Sequence, residues 1–380
     1  MLSFPSHAII KQNFVGPSVA VSVAEMNGWR ASMEDEHVVY IDDADSKEHN
    51  YKIHIFSIFD GHNGPEAAKF MSSELIQELL PVLRNLSTFP ERPQISRRDQ
   101  QLIKNAILKL DQKLMQSVKF AGCTLACAAL FIPNDLSKKT QMLSIHAGDA
   151  RVLVIDCEKS MVKFHTQDHK PINFEEQRRV ERTGGHISED NRVNGDLAVS
   201  RAMGDYPLKS IPNTPLNKQP ISAEPEISSF ELIEKDVILI ACDGVFERMD
   251  NNQVAEFVSL RTKVNEEITG SLVGCSLSRG STDNMSVIGI EFNPSMYKNS
   301  KLEEFQPIYY QENIDFKGII TQPNNLSYFY AALAFFKRLP QNIQAQHKVF
   351  LQTLELQIIH IRQQQQQKQQ QQQEFFMNLS

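Results

Sequence analysis

The chain has 380 residues, 39 lysines and arginines against 46 aspartates and glutamates for a formal net charge of −7, with 41% hydrophobic and 22% charged residues. Such a length allows one large domain with a smaller part, or two domains, and the composition excludes wholesale disorder. The acidic surplus gives no electrostatic footprint for holding nucleic acid, and it is compatible with cation binding.

The cysteines, Cys123, Cys127, Cys157, Cys242 and Cys275, are odd in number, scattered and without a paired metal-ligand spacing. Free thiols in a reducing compartment are expected. There is no charged leader before an apolar core, no run of transmembrane length and no glycine at position 2. A soluble cytoplasmic or nuclear protein is therefore the expectation, with neither membrane nor nucleic acid as partner.

In chain order, residues 19–25 read as a strand and Asn27-Gly28 as a turn. Trp29 to His37 then packs Arg30 with Glu34, Asp35 and Glu36 ahead of the apolar run 38–41. Alone, this is a solvated charged loop. The next strand, 51–59, stops at Asp60-Gly61-His62-Asn63-Gly64, and Gly64-Pro65-Glu66 opens a helix, so Asp60 falls on a strand-to-helix turn. Asp60 offers a hard oxygen ligand, Gly61 a close backbone approach, and His62 a charge that changes near neutral pH. Helical spacing covers 66–83 and 100–117, separated by a proline-containing polar loop at 90–96.

From Gly122 the period changes to that of strands: 122–131, 141–146 and 151–155, joined at Asn134-Asp135 and Gly148-Asp149, predict an antiparallel meander. Asp168-His169-Lys170-Pro171 precedes a polar helix at 173–182 that ends at Gly184-Gly185. Residues 192–225 read as a long ordered loop. The apolar run 236–242 ends on Asp243-Gly244, helices follow at 252–260 and 263–277, and Asp283 precedes the strand 285–292. Strand ends thus present Asp60, Asp243 and Asp283, with Glu34 and Asp149 extending the set.

Carboxylates gathered at one sheet edge raise one another's pKa unless a cation neutralises them. Oxygen-only ligand sets favour Mg²⁺ or Mn²⁺. Two such ions about 4 Å apart, bridged by one carboxylate, can activate a water for attack on phosphorus. A metal-dependent phosphodiesterase or nuclease would also fit the acids, although not the acidic balance.

Several segments are more specific in combination. They are Gly28-Trp29-Arg30 with Met33-Glu34-Asp35, Phe59 to Gly64, Gly122-Cys123-Thr124, and Ala147-Gly148-Asp149-Ala150-Arg151. Asp168 to Pro171, Arg192-Val193-Asn194-Gly195, Leu197 to Arg201 and Gly204-Asp205 follow, then Glu224-Pro225-Glu226, Cys242-Asp243-Gly244 and Asp283 to Val287. In this order, over roughly residues 19–293, the chain resembles the metal-dependent protein serine/threonine phosphatases of type 2C, or PPM.

The resemblance implies an α+β fold, a four-layer α/β/β/α sandwich of two mostly antiparallel sheets flanked by helices. It also implies hydrolysis of phosphoserine and phosphothreonine in phosphoprotein substrates with two Mg²⁺ or Mn²⁺ ions and a weaker third. On it, Asp60 resembles the carboxylate bridging both ions, Asp243 and Asp283 ligands of one, and the Gly61 carbonyl a ligand of the other. Glu34, with Asp35, would hold waters around them, and Asp149 would contribute to the third position. Arg30 resembles the phosphate-binding arginine, with a structural salt bridge as its alternative. His62 resembles the general acid, with a structural hydrogen bond as its alternative. A catalytically inactive binding module or scaffold is the other reading of the whole, although such relatives lose metal acids that this chain keeps.

Departures from the family pattern are Glu247, where an aspartate is frequent, and Phe246, where tryptophan is. Residues 206–219 correspond to a variable flap whose Lys209 and Lys218 are expected to influence substrate choice. The expected division is a catalytic domain at 1–296 and a helical extension at 297–380. Helices are expected at 325–339 and 341–362, the latter with Leu351, Leu354, Ile358 and Ile361 at a/d-like spacing, before a glutamine-rich run at 363–373 broken only by Lys368. This extension either packs on the catalytic domain or offers a helix to a protein partner.

Overall fold

The computed structural model describes residues 6–42, 50–135, 137–259, 266–294, 302–304 and 308–310. Its strands are β1 (Ser6–Gly16), β2 (Val19–Gly28), β3 (Glu36–Tyr40), β4 (Tyr51–Phe59), β5 (Gly61–His62), β6 (Gly122–Cys123), β7 (Leu125–Pro133) and β8 (Thr140–Ala147). They continue with β9 (Arg151–Asp156), β10 (Met161–His165), β11 (Met203–Gly204), β12 (Glu226–Leu232), β13 (Asp236–Ala241), β14 (Met285–Phe292), β15 (Glu303–Glu304) and β16 (Ile308–Tyr310). The helices are α1 (Glu66–Arg84), α2 (Arg97–Leu114), α3 (Phe174–Arg182), α4 (Asp243–Phe246), α5 (Asn251–Ser259) and α6 (Glu266–Ser278).

One sheet runs β10-β9-β13-β14-β2-β1-β15, with β16 also on β1; a second runs β12-β8-β7-β4-β3; a small third runs β11-β6-β5. Every pairing between these strands is antiparallel.

Period two decides the layers. On β7, Ala126, Ala128, Leu130 and Ile132 face the other sheet, where they meet Val21, Val23, Val152, Val154, Ile238, Ile240, Ile288 and Ile290. The alternate residues Leu125, Cys127, Ala129 and Phe131 meet Met71, Leu75 and Leu79 of α1 and Ile103, Ile107 and Leu110 of α2. With both faces covered the whole strand is buried, which is why it reads as one continuous apolar run. The outer face of the larger sheet, Met26, Leu153, Ile155, Val237, Leu239 and Val287, packs under Val254 and Val258 of α5 and Leu272 and Val273 of α6. These are the four layers that the resemblance implied.

α1 lines up Ala67, Ala68, Met71, Leu75, Leu79 and Leu83 at helical spacing on its buried face. α2 begins three residues earlier than the hydrophobic period indicates because Ser96 caps it, its side chain accepting from the Asp99 N–H at 3.1 Å. The expected single strand at 122–131 divides at Thr124, where pairing with β5 gives way to pairing with β4. Strands β1, β10 and β12, not expected from the pattern, lie at or near sheet edges, where solvent replaces one apolar partner. β15 and β16 pair with β1 through Phe14↔Glu304 and Ile9↔Tyr310, so the sheet draws residues from beyond position 296. The helices expected at 325–339 and 341–362 and the glutamine-rich run lie outside the described residues. Among the described residues no helix is long and apolar enough to cross a membrane.

Antiparallel order brings the acids together. β2 ends where β14 begins, β13 ends beside the start of β14, and β9 begins beside the end of β13. Across the sandwich β8 ends and β7 starts at that same end, and β4 finishes there. Arg30, Asp283, Asp243, Asp149 and Asp60 all follow or precede those termini.

Candidate active site

Carboxylate oxygens of Asp60, Asp149 and Asp243 lie within 4.8 Å of one another, and so do those of Asp243, Glu247 and Asp283. Asp60 leaves the end of β4 with its backbone clamped by Thr124, whose hydroxyl accepts from the Asp60 N–H at 3.1 Å and whose N–H donates to the Asp60 carbonyl at 2.9 Å. The Asp243 N–H, at the start of α4, points at Asp60 Oδ2, 3.4 Å away. Glu247 lies four residues further along this turn, and its N–H donates to the Asp243 carbonyl at 2.7 Å. That spacing puts both side chains on one side of the turn, so the longer glutamate still joins the acids. Phe246 carries the Arg151 guanidinium 4.5 Å from its ring centre.

Burial, with the charges of Asp243, Asp35, Asp149 and Asp283, holds the Asp60 carboxyl well above the ordinary range. Asp243 is raised likewise by burial and by Asp149 and Asp283, with Lys170 pulling the other way. Two cations already answer part of this charge: Lys170 Nζ is paired with Asp149, and Arg30 Nη2 lies 2.5 Å from Asp283 Oδ2. The donor set is made of hard oxygens, and its mutual repulsion is of the kind a divalent cation relieves. The residues therefore fit Mg²⁺ or Mn²⁺.

Glu34 belongs to neither group of converging oxygens among the described residues. Its carboxylate accepts from the Gly64 N–H at 3.1 Å and the Ser32 hydroxyl at 3.0 Å, while Asn284 Oδ1 takes the Glu34 N–H at 2.9 Å. The Asn284 amide also donates to the Asn27 and Ser32 carbonyls, tying the loop after β2 to the start of β14. A Cβ on Gly61 would overlap the Glu34 carbonyl oxygen, so only glycine lets β5 lie against this loop. Asp35 is buried below; burial pushes its carboxyl up to about 7 against the pull of the Ser286 hydroxyl, 2.7 Å away.

At the rim, Arg30 is 49% exposed in its side chain and uses one nitrogen on Asp283. His62 sits on β5 with Nε2 at 2.9 and 2.8 Å from the two carboxylate oxygens of Asp205. Burial alone would lower its pKa, but the Asp205 hydrogen bond and charge, with Asp149 and Glu34 behind them, leave it raised.

The motif order in the sequence includes Thr124, Lys170 and Asp205, but no role could be read for them from the sequence: all are polar loop residues without periodicity. One expectation is corrected. Lys209 does not face substrate: its ammonium is fully enclosed and paired with Asp111 at 2.9 Å. Lys218 is exposed at the end of the 3₁₀ turn Leu216–Lys218.

The family model described as Protein phosphatase 2C matches residues 19–285. The chain is 33% identical over 294 residues to Protein phosphatase 1A of Mus musculus, covering 75% of this chain and 73% of that one. It is also 33% identical over 315 residues to the Probable protein phosphatase 2C 3 of Paramecium tetraurelia, covering 76% and 97%. Among solved structures, a phosphatase from Toxoplasma gondii shares the fold at a TM-score of 0.63 and 23% identity, covering 80% of this chain and 99% of that one.

Proposed function

The chain belongs to the protein phosphatase 2C family and is a protein serine/threonine phosphatase, and from that premise we propose that it hydrolyses phosphoserine and phosphothreonine in proteins through a water activated by two Mg²⁺ or Mn²⁺ ions. The observation that carries this reading is the convergence of Asp60, Asp149, Asp243, Glu247 and Asp283 oxygens at one end of the sandwich, with Arg30 and His62 at its rim.

Asp60 would bridge the ions, Asp243 and Asp283 would hold one and the Gly61 carbonyl the other, with Glu34 and Asp35 orienting waters and Asp149 serving a weaker third position; ions so held acidify a water and offset phosphoryl charge. Arg30 binds the phosphate. Its guanidinium keeps its charge at working pH, and only Nη2 is engaged on Asp283, leaving the rest of the fork for phosphate oxygens. His62 delivers a proton to the departing serine or threonine oxygen. Because Nε2 is held by Asp205, the transferred proton comes from Nδ1. Lys170 steadies Asp149 and limits the repulsion among the acids. An inactive scaffold would have no use for this full acid set.

The test is phosphate release from a phosphothreonine peptide in Mn²⁺ or Mg²⁺, with and without chelator. Activity that disappears in chelator and returns with the metal is expected; equal activity in chelator contradicts the mechanism. His62→Gln should slow turnover by about 100-fold while Mn²⁺ affinity is retained.

A further inference from the structure

The lysine that the sequence places in a substrate-facing flap is buried, and its surroundings lead back to His62. Lys209 Nζ lies 3.1 and 2.9 Å from the two carboxylate oxygens of Asp111 on α2 and donates to the Ala202 carbonyl at 2.9 Å. Both side chains are fully enclosed. Asp111 Oδ1 also accepts the Gly204 N–H at 2.8 Å, and the Tyr206 hydroxyl reaches the Asp111 carbonyl at 2.5 Å and Oδ1 at 3.2 Å. The residue enclosed by these bonds is Asp205.

Asp205 adopts φ +53°, a left-handed conformation that non-glycine residues occupy at a cost, directly after Gly204 at φ +80°. The small sheet sets the register: Gly122 pairs with His62 on one side and Gly204 on the other. Gly122 also leaves open the space in which the two side chains meet, since a Cβ there would overlap both Asp205 Oδ2 and His62 Nε2. A buried ion pair is weak support for stability, because apolar replacement of both partners is often neutral. It is good at fixing geometry, and here the fixed geometry is that of the Asp205 turn.

We propose that the buried Asp111–Lys209 pair is a positioning unit for the reaction, locking the Gly204 to Tyr206 turn so that the left-handed Asp205 presents its carboxylate to His62 Nε2. Neither Asp111 nor Lys209 touches substrate; they act through Asp205. The inference rests on the reading of His62 as proton donor to the leaving oxygen.

The test uses the full chain with Mn²⁺ and two substrates: a phosphothreonine peptide, whose alkoxide needs a proton to leave, and p-nitrophenyl phosphate, whose phenolate does not. Asp111→Asn/Lys209→Met removes both buried charges together, and Tyr206→Phe removes the hydroxyl that reaches the Asp111 carbonyl and Oδ1 while leaving the charges paired. The double variant should lower kcat on the peptide about tenfold with KM unchanged, change the aryl ester less than about threefold, and cause no further loss when added to His62→Gln. Tyr206→Phe should show the same substrate pattern more weakly, and it decides the matter if the double variant does not fold.

Equal loss on both substrates, unchanged activity, or losses that add to those of His62→Gln would overturn the inference. A leaving-group effect in His62→Gln without one in these variants contradicts the positioning role alone. Its absence in His62→Gln itself contradicts the proton-donor reading and the inference with it.

Discussion

Asp243 illustrates what single residues contribute. Its carboxyl is raised by burial and by Asp149 and Asp283, so the folded chain holds a proton more tightly than the unfolded one. The sign follows: without a divalent ion, this group favours the folded state at pH below the ordinary carboxylate value and costs stability as pH rises above it. Asp243→Asn in chelator should therefore raise the melting temperature at pH 7 by about 2 °C or more, an advantage that shrinks toward pH 4. Calorimetric melting at the two pH values checks this, and a lower melting temperature at pH 7 would contradict the repulsion. Asp60, Asp243 and Asp283 were legible because each ends or begins an apolar run. Lys209 was not: a loop lysine is exposed by default, and its burial depends on Asp111, 98 residues away. Asp205 stands in the motif order as Gly204-Asp205, but its role appears only where β11, β6 and β5 bring it beside His62.

Among elements, α3 shows how a long loop is held. Glu176 on α3 accepts from Arg201 at 3.0 Å, from the Ser200 hydroxyl at 2.6 Å and from Arg179, while Arg179 donates to the Ser200, Gln219 and Pro220 carbonyls. Burial opposes ionisation of Glu176, but Arg201, Arg179 and Ser200 outweigh it and bring its pKa down to about 2. A depressed folded value stabilises above the unfolded carboxylate pKa and loses that contribution as pH falls toward about 2. Burial of Arg179, which lowers its own pKa, offsets part of the gain. Glu176→Gln should cost on the order of 3 kcal/mol at pH 7 and clearly less at pH 3, read by urea unfolding. An equal cost at both pH values would mean that the charge is not what holds the loop. Strands covered on both faces, such as β7 and β13, were readable as apolar runs, whereas the edge strands β10 and β12 mix polar and apolar residues and were not.

At the scale of the molecule, the four layers follow from periodicity only after motif order has said which runs pair; composition alone allowed one or two domains. The sheet continues past position 296, and β15 and β16 cover β1, which otherwise presents an open edge. A chain ending at residue 312 should therefore melt higher and associate less than one ending at 296; equal melting and association would show that these strands contribute nothing. The central claim is that strand ends from both sheets build one ion site with Asp60 shared between the ions, and Mn²⁺ titration calorimetry of the wild-type chain, Asp60→Asn and Asp283→Asn tests it most directly. Two ions for the wild type, one tight site retained in Asp283→Asn and both weakened at least about tenfold in Asp60→Asn are predicted. Wild-type stoichiometry and affinity persisting in Asp60→Asn would contradict it.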